Sequence, residues 1–289
     1  MKEFKGCGTA LVTPFREGEV DYEAYASLIY RQVDCGVDFL VALATTGETP
    51  ALSSEEKVAL LKLTAGLSGG RPVLVGCGSN SVAGTLANMK LLDGPEADGW
   101  LVVVPFYNKP TQEGMYRYFK AVAAQTSKPV VIYNVPGRTG ANMTAETCLR
   151  LAREVPNIVA TKEASGNLDQ IRAILEGAPE GFTVLSGDDS MTLPAMKLGA
   201  GGVISVASNI APAQMKAMTT AAFAGDWAEA DAEEAKLAPL FKACFVESNP
   251  IPVKAGMEAL GLMTAEVRLP LTEATEATKK LMSTIVAAL

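Results

Sequence analysis

The sequence predicts an α/β protein, a (β/α)8 TIM barrel followed by a C-terminal helical extension. Eight short apolar runs recur along the chain, and amphipathic stretches separate them. Near-continuous apolar runs are typical of strands that are buried on both faces of a parallel sheet. The length of 289 residues suits one such barrel with an addition. An open doubly wound sheet is the alternative, because periodicity alone does not show that a sheet closes.

The predicted strands are rich in Val, Leu and Ile, and turn residues bound them. Intervals of roughly 20–35 residues leave room for one crossover helix between successive strands. The glycines at 199–202 precede a strand instead of following one, so they are interpreted as a tight turn and not as a phosphate-binding loop. The strands are predicted at 8–12, 39–43, 73–76, 100–104, 130–133, 158–162, 183–186 and 202–206.

Helix starts are marked by residues that cap helices. Ser53 and Glu56 form a predicted capping box, and Asp21 and Thr144 are predicted N-caps. From about Ala211 onward only helical segments follow, of which 227–240 is interpreted as a solvated helix face without an assigned function. We therefore predict a catalytic barrel over residues 1–224 and a helical extension over residues 225–289.

Composition excludes several function classes. The net charge of −7, without a basic block, argues against a nucleic-acid partner. The chain has no histidine, which rules out Ser-His-Asp triads and histidine-based metal sites. Five scattered cysteines without a CxxC pair favour free thiols in a reducing compartment. With no signal-peptide pattern and no long apolar run, we expect a cytoplasmic protein without a membrane partner.

The most informative residue is Lys162, which ends the apolar run 158–161. Barrel enzymes carry their reactive groups where strands end and the following loops begin. An amine at the end of an apolar strand is poorly solvated, which favours its uncharged form. A neutral lysine can form a Schiff base with a carbonyl substrate. The alternative is that Lys162 only pairs with a carboxylate.

Other polar residues follow neighbouring strands. Tyr133 ends the fifth strand and is a candidate for proton transfer, or else a core tyrosine with a satisfied hydroxyl. Arg138 lies in a loop of Gly and Pro, where a guanidinium suits a substrate carboxylate; its alternative role is a surface ion pair. Thr45 and Thr46, before Gly47, offer hydroxyls and N–H groups to an anion, or are ordinary turn residues.

Together these segments resemble the dihydrodipicolinate synthase family over nearly the whole chain. The wider superfamily of pyruvate-dependent aldolases shares the lysine and the YN-P element, and Arg138 points within it to the synthases. The motifs are GTALVTPF near the start, TTGE at 45–48, PFYNKPTQEG at 105–114, YNVPGRTG at 133–140, KEASGN at 162–167, LSGDD at 185–189, GGVISVASN at 201–209 and FVESNPIPVK at 245–254.

The resemblance implies a lyase that condenses pyruvate with L-aspartate 4-semialdehyde, the first committed step toward diaminopimelate and lysine. Lys162 matches the residue that forms the imine with pyruvate. Thr46, Tyr133 and Tyr107 match the family's proton relay, with Tyr107 donated across a subunit interface. The resemblance implies no metal and no organic cofactor. It implies a homo-oligomer, a tetramer of paired dimers.

The resemblance also assigns the substrate-binding positions. Arg138 matches the residue that binds the carboxylate of the semialdehyde. Thr45 and Thr46 match the cradle for the pyruvate carboxylate. Gly187 and Ile204 match backbone positions that line the pocket.

A regulatory site of the family is altered in this chain. In many bacterial members lysine inhibits the enzyme at a subunit interface, and of the matching positions only Asn80 keeps its residue type. Gly84 replaces an acid, Phe106 a tyrosine, and Ser54 and Lys57 replace histidines. A binding site that has lost its carboxylate and gained a lysine binds a cationic ligand poorly. We therefore expect weak or absent inhibition by lysine.

Two other functions remain open at this stage. One is a different pyruvate-dependent aldolase, such as an N-acetylneuraminate lyase or a keto-sugar-acid dehydratase, which usually lacks an arginine at the position of Arg138. The other is a barrel that binds a keto acid without catalysis. The joint presence of Lys162, Tyr133, Thr46 and Tyr107 argues against it.

Overall fold

A closed barrel of eight parallel strands forms the centre of the computed structural model, which describes residues 3–289. An antiparallel hairpin, which the sequence did not predict, follows the first strand. The strands are β1 (Gly6–Ala10), the hairpin strands β2 (Phe15–Arg16) and β3 (Glu19–Val20), β4 (Phe39–Ala42), β5 (Val73–Gly76), β6 (Gly99–Val103), β7 (Val130–Asn134), β8 (Ile158–Glu163), β9 (Thr183–Ser186) and β10 (Gly202–Ser205).

Closure of the barrel confirms the predicted fold and excludes the open sheet. Around the barrel the order is β1-β10-β9-β8-β7-β6-β5-β4, and β1 pairs in parallel with both β10 and β4. The eight predicted strands are confirmed to within two residues at each end. The largest shift is in β1, which starts at Gly6 opposite Gly202. Its Gly-Cys-Gly start has little apolar signal, which explains the shift.

Helices cover the outside of the barrel and form the C-terminal extension. The predicted capping box at Ser53 and the caps at Asp21 and Thr144 are confirmed, because each side chain accepts a hydrogen bond from the first helical turn. The helices are α1 (Tyr22–Asp34), α2 (Ser54–Leu67), α3 (Val82–Leu92), α4 (Gln112–Ala123), α5 (Pro136–Thr139), α6 (Ala145–Glu154), α7 (Leu168–Gly177), α8 (Thr192–Lys197), α9 (Pro212–Ala224), α10 (Trp227–Ala243), α11 (Ile251–Ala259) and α12 (Glu276–Val286). Within residues 3–289, no helix combines the length and the apolar character that a bilayer span requires.

The barrel interior is an apolar core that closes one end of the barrel and leaves the other open. Phe4 packs edge-on against Phe39, with ring centroids 5.6 Å apart, at the end where the strands begin. Leu74, Leu101 and Val131 belong to the same buried cluster. Tyr133 and Val135 are among the members of this cluster at the other rim, where the strands end.

The C-terminal helices share the main hydrophobic core with the barrel helices. Helix α10 packs on α9, and α12 packs on α10 and α11. Helix α10 exposes most of its residues, as the solvated face predicted for 227–240 requires, but Ala230, Leu237 and Leu240 are fully buried and form an apolar face that was not predicted. Its many alanines and acidic residues hid the narrow apolar face. Helix α11 lies next to the open end of the barrel, where Lys254 contacts Glu48.

Candidate active site

Lys162 and Tyr133 are side by side at the open end of the barrel. They pair in register on β8 and β7. Because residues alternate sides along a strand, both point to the barrel interior together with Ala160 and Val131. The Lys162 Nζ lies 4.2 Å from the centroid of the Tyr133 ring. The tyrosine face is thus one wall of the space around the amine.

Lys162 is buried without an anionic partner. The residue is only 4% exposed, and within the described chain no carboxylate oxygen lies within 4.0 Å of its Nζ. This excludes the alternative that Lys162 forms a structural ion pair. Lys254 provides the contrast, because its fully buried Nζ bonds to Glu48 Oε1 at 2.5 Å. Burial lowers the pKa of Lys254 to about 8, against the opposing effect of the Glu48 carboxylate.

A buried polar cluster outside the barrel wall fixes the ends of β7 and β8. Glu163 faces away from the barrel interior and accepts hydrogen bonds from Asn134 Nδ2 at 3.1 Å and Ser165 N at 2.9 Å. Asn134 Oδ1 in turn accepts from Met143 N at 3.0 Å. Burial raises the pKa of Glu163, while these donors favour its ionised form. Since Glu163 and Asn134 follow Lys162 and Tyr133 directly, the cluster holds the two site residues in place.

Gly187 gives Lys162 the space for its side chain. A Cβ at Gly187 would lie 3.0 Å from Lys162 Cε, 3.1 Å from Lys162 Cγ and 2.7 Å from Ala164 Cβ. The last distance is shorter than any ordinary contact between carbon atoms. A side chain here would therefore displace the lysine or the loop that follows β8.

The loop after β4 brings Thr45 and Thr46 to the same space. A tight 3-10 turn, Thr45–Gly47, begins at this strand end, and Thr46 is 3% exposed. The next residue but one, Glu48, has a left-handed backbone with φ of 53°. Its carboxylate accepts from Lys254 Nζ and from the N–H of Arg268. Two residues of the C-terminal extension thus anchor a strained loop.

Arg138 lies on the short helix α5, directly after β7. Its side chain is exposed, and no carboxylate of the described residues lies within 4.0 Å of its guanidinium. A surface ion pair is therefore excluded here too. Arg138 Nη2 donates a hydrogen bond to the main-chain oxygen of Asn249 at 3.2 Å. The remaining donors of the guanidinium are free to bind an anion at the rim.

These side chains surround one cavity of about 180 Å³, with a larger and more apolar cavity of about 400 Å³ beside it. Thr45, Tyr133 and Arg138 border both. No group of three or more Cys, Asp or Glu side chains between residues 3 and 289 is arranged to hold a metal ion. The smaller cavity is lined by Ala44, Thr45, Thr46, Tyr133, Val135, Arg138, Lys162, Ala164, Gly187, Asp188, Val206, Phe245 and Asn249.

Two of the predicted site residues lie outside these cavities. Tyr107 is 87% exposed, with a left-handed φ of 73°, and lines neither cavity of its own chain. Ile204 is fully buried in the barrel interior, and Val206 lines the smaller cavity instead.

Seven of the thirteen residues that line the smaller cavity were not predicted as site residues, and two of the seven come from outside the barrel. Phe245 and Asn249 belong to the C-terminal extension. The segment 245–254 carried part of the family resemblance, and that was the one signal that could have identified them.

The Tyr133 hydroxyl makes no hydrogen bond to another described residue. It is therefore not the satisfied core tyrosine that was the alternative interpretation. A phenol without a hydrogen-bond partner, and an amine and a guanidinium without carboxylate partners, surround one cavity. This set suits covalent capture of a small carbonyl acid with proton transfer.

Comparisons with known proteins identify the family of the chain. Residues 3–289 match the model of the dihydrodipicolinate synthetase family. The 4-hydroxy-tetrahydrodipicolinate synthase of Moorella thermoacetica is 49% identical over 274 residues, 94% of each chain. That of Thermotoga neapolitana is 45% identical over 283 residues, 96% of each chain.

Solved structures show the same likeness. Dihydrodipicolinate synthase from Thermotoga maritima superposes with a TM-score of 0.97 at 43% identity and 99% coverage of both chains. The enzyme from Cyanidioschyzon merolae with lysine bound gives a TM-score of 0.94 at 40% identity, covering 99% of this chain and 98% of the other. The chain therefore belongs to the dihydrodipicolinate synthetase family.

Proposed function

We propose that this chain condenses pyruvate with L-aspartate 4-semialdehyde through an imine on Lys162, on the route to diaminopimelate and lysine. The observation that carries the proposal is the Lys162 amine, which is buried without an anionic partner beside Tyr133 and faces a small cavity. An amine that borders a cavity and has no anion beside it is free to attack a carbonyl carbon, and a lysine amine can form a Schiff base with such a substrate.

The first step joins the Lys162 Nζ to the keto carbon of pyruvate, and water leaves. The resulting imine withdraws electrons, so the pyruvate methyl group can lose a proton and become an enamine. Tyr133 and Thr46 are the proton carriers on this cavity, since the chain has no histidine. General acid–base catalysis by such groups contributes about 10²–10⁴-fold.

The second step forms the carbon–carbon bond. The enamine attacks the aldehyde carbon of the semialdehyde, whose oxygen takes up a proton. The substrate's own amine then attacks the imine carbon, closes the ring and releases Lys162. We assign the carboxylate of the semialdehyde to Arg138, which has free donors at the rim, and the carboxylate of pyruvate to Thr45 and Thr46. Gly187 and Ile204 contribute backbone to the pocket in this proposal. Neither a metal nor an organic cofactor takes part.

The proposal includes assembly of the chain. Tyr107 is exposed on its own subunit, with a strained backbone, and its phenol completes the proton relay of a second copy. Residues held in rare backbone conformations cluster at functional sites, which supports this role. The active form is then at least a dimer, and we propose a tetramer of paired dimers. The five free cysteines fit a cytoplasmic location.

Borohydride reduction tests the imine directly. Incubation with pyruvate and borohydride should leave a stable adduct on the peptide that contains Lys162, as seen by mass spectrometry, and none without pyruvate. A protein that condenses the semialdehyde but gives no adduct would contradict the proposed mechanism. Turnover of the semialdehyde compared with that of sugar acids tests substrate choice. Faster turnover of sugar acids would favour the N-acetylneuraminate lyase alternative.

A further inference from the structure

Asn249 connects two side chains of the candidate site that follow different strands, Thr46 after β4 and Arg138 after β7. It lies in the segment between α10 and α11 and is 5% exposed. Its Nδ2 donates to Thr46 Oγ1 at 2.9 Å, and its main-chain oxygen accepts from Arg138 Nη2 at 3.2 Å. In the described part of the chain no other residue forms hydrogen bonds with the side chains of both Thr46 and Arg138.

The side-chain bond has a fixed direction. A carboxamide nitrogen only donates, so Thr46 Oγ1 is the acceptor in this bond and its own proton must point elsewhere. Thr46 Oγ1 has no other hydrogen-bond partner among residues 3–289. Thr46 lines the cavity together with Tyr133 and Lys162. The Thr46 proton is therefore directed toward that cavity.

Stability does not explain this arrangement. Asn249 Oδ1 is buried and has no hydrogen-bond partner among the described residues. A buried unpaired acceptor costs about 1–3 kcal/mol, so an apolar side chain of the same shape would be cheaper here. The contact that the carboxamide gains in exchange is the bond to Thr46.

We infer that Asn249 is a positioning residue that sets the direction of the proton relay by making Thr46 a donor toward the cavity. The inference rests on the proposed function. Because Arg138 is held by the main chain of Asn249, a change of the Asn249 side chain leaves the guanidinium in place. The side chain should thus affect proton transfer and not the binding of the second substrate.

Asn249→Asp tests the direction with little change of shape. A carboxylate only accepts, so it takes the Thr46 proton away from the cavity. Asn249→Leu removes the donor without adding a charge. The measurement is the exchange of pyruvate methyl protons for deuterium, followed by NMR, which needs the imine and the relay but no semialdehyde. We expect exchange to slow by about 10²-fold in both variants.

Three further readouts separate this role from a structural one. The borohydride adduct at Lys162 should form as in the wild type, and the KM for the semialdehyde should change less than twofold. In a Thr46→Ala background, Asn249→Asp should have almost no further effect on exchange, because Asn249 acts through the Thr46 hydroxyl. Thermal unfolding verifies that each variant is folded.

The outcomes are distinct. Wild-type exchange in either folded variant would overturn the inference, and so would equal losses of exchange and of adduct formation. A full additional effect of Asn249→Asp in the Thr46→Ala background would also contradict it. Absence of the adduct in the wild-type protein would contradict the proposed function instead.

Discussion

Lys162 and Lys254 are both buried at the open end of the barrel, yet only Lys254 has an anion beside it. Lys254 Nζ bonds to Glu48 Oε1 and to the main-chain oxygen of Glu266. Lys162 Nζ faces the Tyr133 ring and a cavity. One lysine is thus part of the framework that holds the loop after β4, and the other is free to react.

Substitution of the two lysines by methionine should separate chemistry from stability. Lys162→Met should abolish the pyruvate adduct and leave the free energy of unfolding unchanged or higher, because it removes an unpaired buried amine. Lys254→Met leaves the Glu48 carboxylate buried without its cation, which costs about 3–5 kcal/mol. Urea unfolding and borohydride trapping measure the two effects.

The double variant Glu48→Gln with Lys254→Met is the control for the buried pair. It removes both charges, so it should recover much of the stability that Lys254→Met loses. Equal destabilisation by Lys162→Met and Lys254→Met would contradict the contrast drawn between them.

Gly187→Ala should impair imine formation. The new Cβ meets Lys162 Cε at 3.0 Å and Ala164 Cβ at 2.7 Å, so the lysine must shift. A displacement of about 1 Å costs on the order of 10²-fold in rate. Borohydride added at successive times after mixing with pyruvate traps the imine and gives the rate of adduct formation.

Gly66→Ala is the matched control, since a Cβ on this helical glycine meets nothing within 4 Å. It should leave the rate of adduct formation unchanged. A Gly187→Ala protein that reacts at the wild-type rate would show that the contact with Lys162 is harmless.

The strands and the position of Lys162 at the open end of the barrel were predictable because their signals are local. A buried parallel strand is a short apolar run, and Lys162 stands out as the charged residue within one. The order of strands around a barrel then brings Lys162 and Tyr133 together, since consecutive strands are neighbours.

Asn249 was not predictable from local sequence, because its partner Thr46 lies 203 residues away. An asparagine before a proline is an ordinary turn signal. Its role follows only from the packing of the C-terminal extension against the open end of the barrel. The buried face of α10 was not predictable for a different reason, because alanines give no strong periodic signal of hydrophobicity.

Arg138→Ala should weaken use of the second substrate while leaving capture of the first intact. Arg138 lies at the rim and no carboxylate pairs with it, so its removal leaves no carboxylate of the protein without its cation. We expect kcat/KM for the semialdehyde to fall about 10²-fold or more, since a charge-assisted hydrogen bond contributes about 1.5–3 kcal/mol. Adduct formation with pyruvate should remain within twofold.

Arg138→Lys is the informative comparison. It retains the positive charge but loses the planar pair of donors, so it should recover little of the lost kcat/KM. Full recovery would show that charge alone, without two-point binding, is sufficient. A parallel loss of pyruvate capture in either variant would assign Arg138 to the wrong substrate.

Lysine should inhibit this chain weakly or not at all. Lys57 and Phe106 border the larger cavity, where Lys57 would repel a cationic ligand. The relative from Cyanidioschyzon merolae was solved with lysine bound. Steady-state rates measured over a range of lysine concentrations test this expectation. Strong inhibition at submillimolar lysine would contradict it.

Glu163→Gln should change how stability depends on pH. Burial raises the pKa of Glu163 in the folded protein, so the folded state binds more protons than the unfolded state between the ordinary pKa of about 4.3 and the raised pKa. The stabilisation that Glu163 contributes is therefore complete below about pH 4.3. It is lost as pH rises from there through the raised pKa of the folded protein. Glutamine does not titrate, so wild type should lose stability relative to Glu163→Gln as pH rises from about 4.3 through the raised pKa of Glu163, as measured by urea unfolding.

Glu154→Gln is a control of opposite sign. The hydrogen bond from the Tyr116 hydroxyl, with help from Arg150, lowers the pKa of Glu154. Its contribution is therefore present above the unfolded pKa and is lost as pH falls through the folded pKa. Relative to Glu154→Gln, wild type should gain stability as pH rises from acid. If both variants shifted the pH profile in the same direction, the opposite pKa shifts that burial and hydrogen bonding impose on these two carboxyl groups would be wrong.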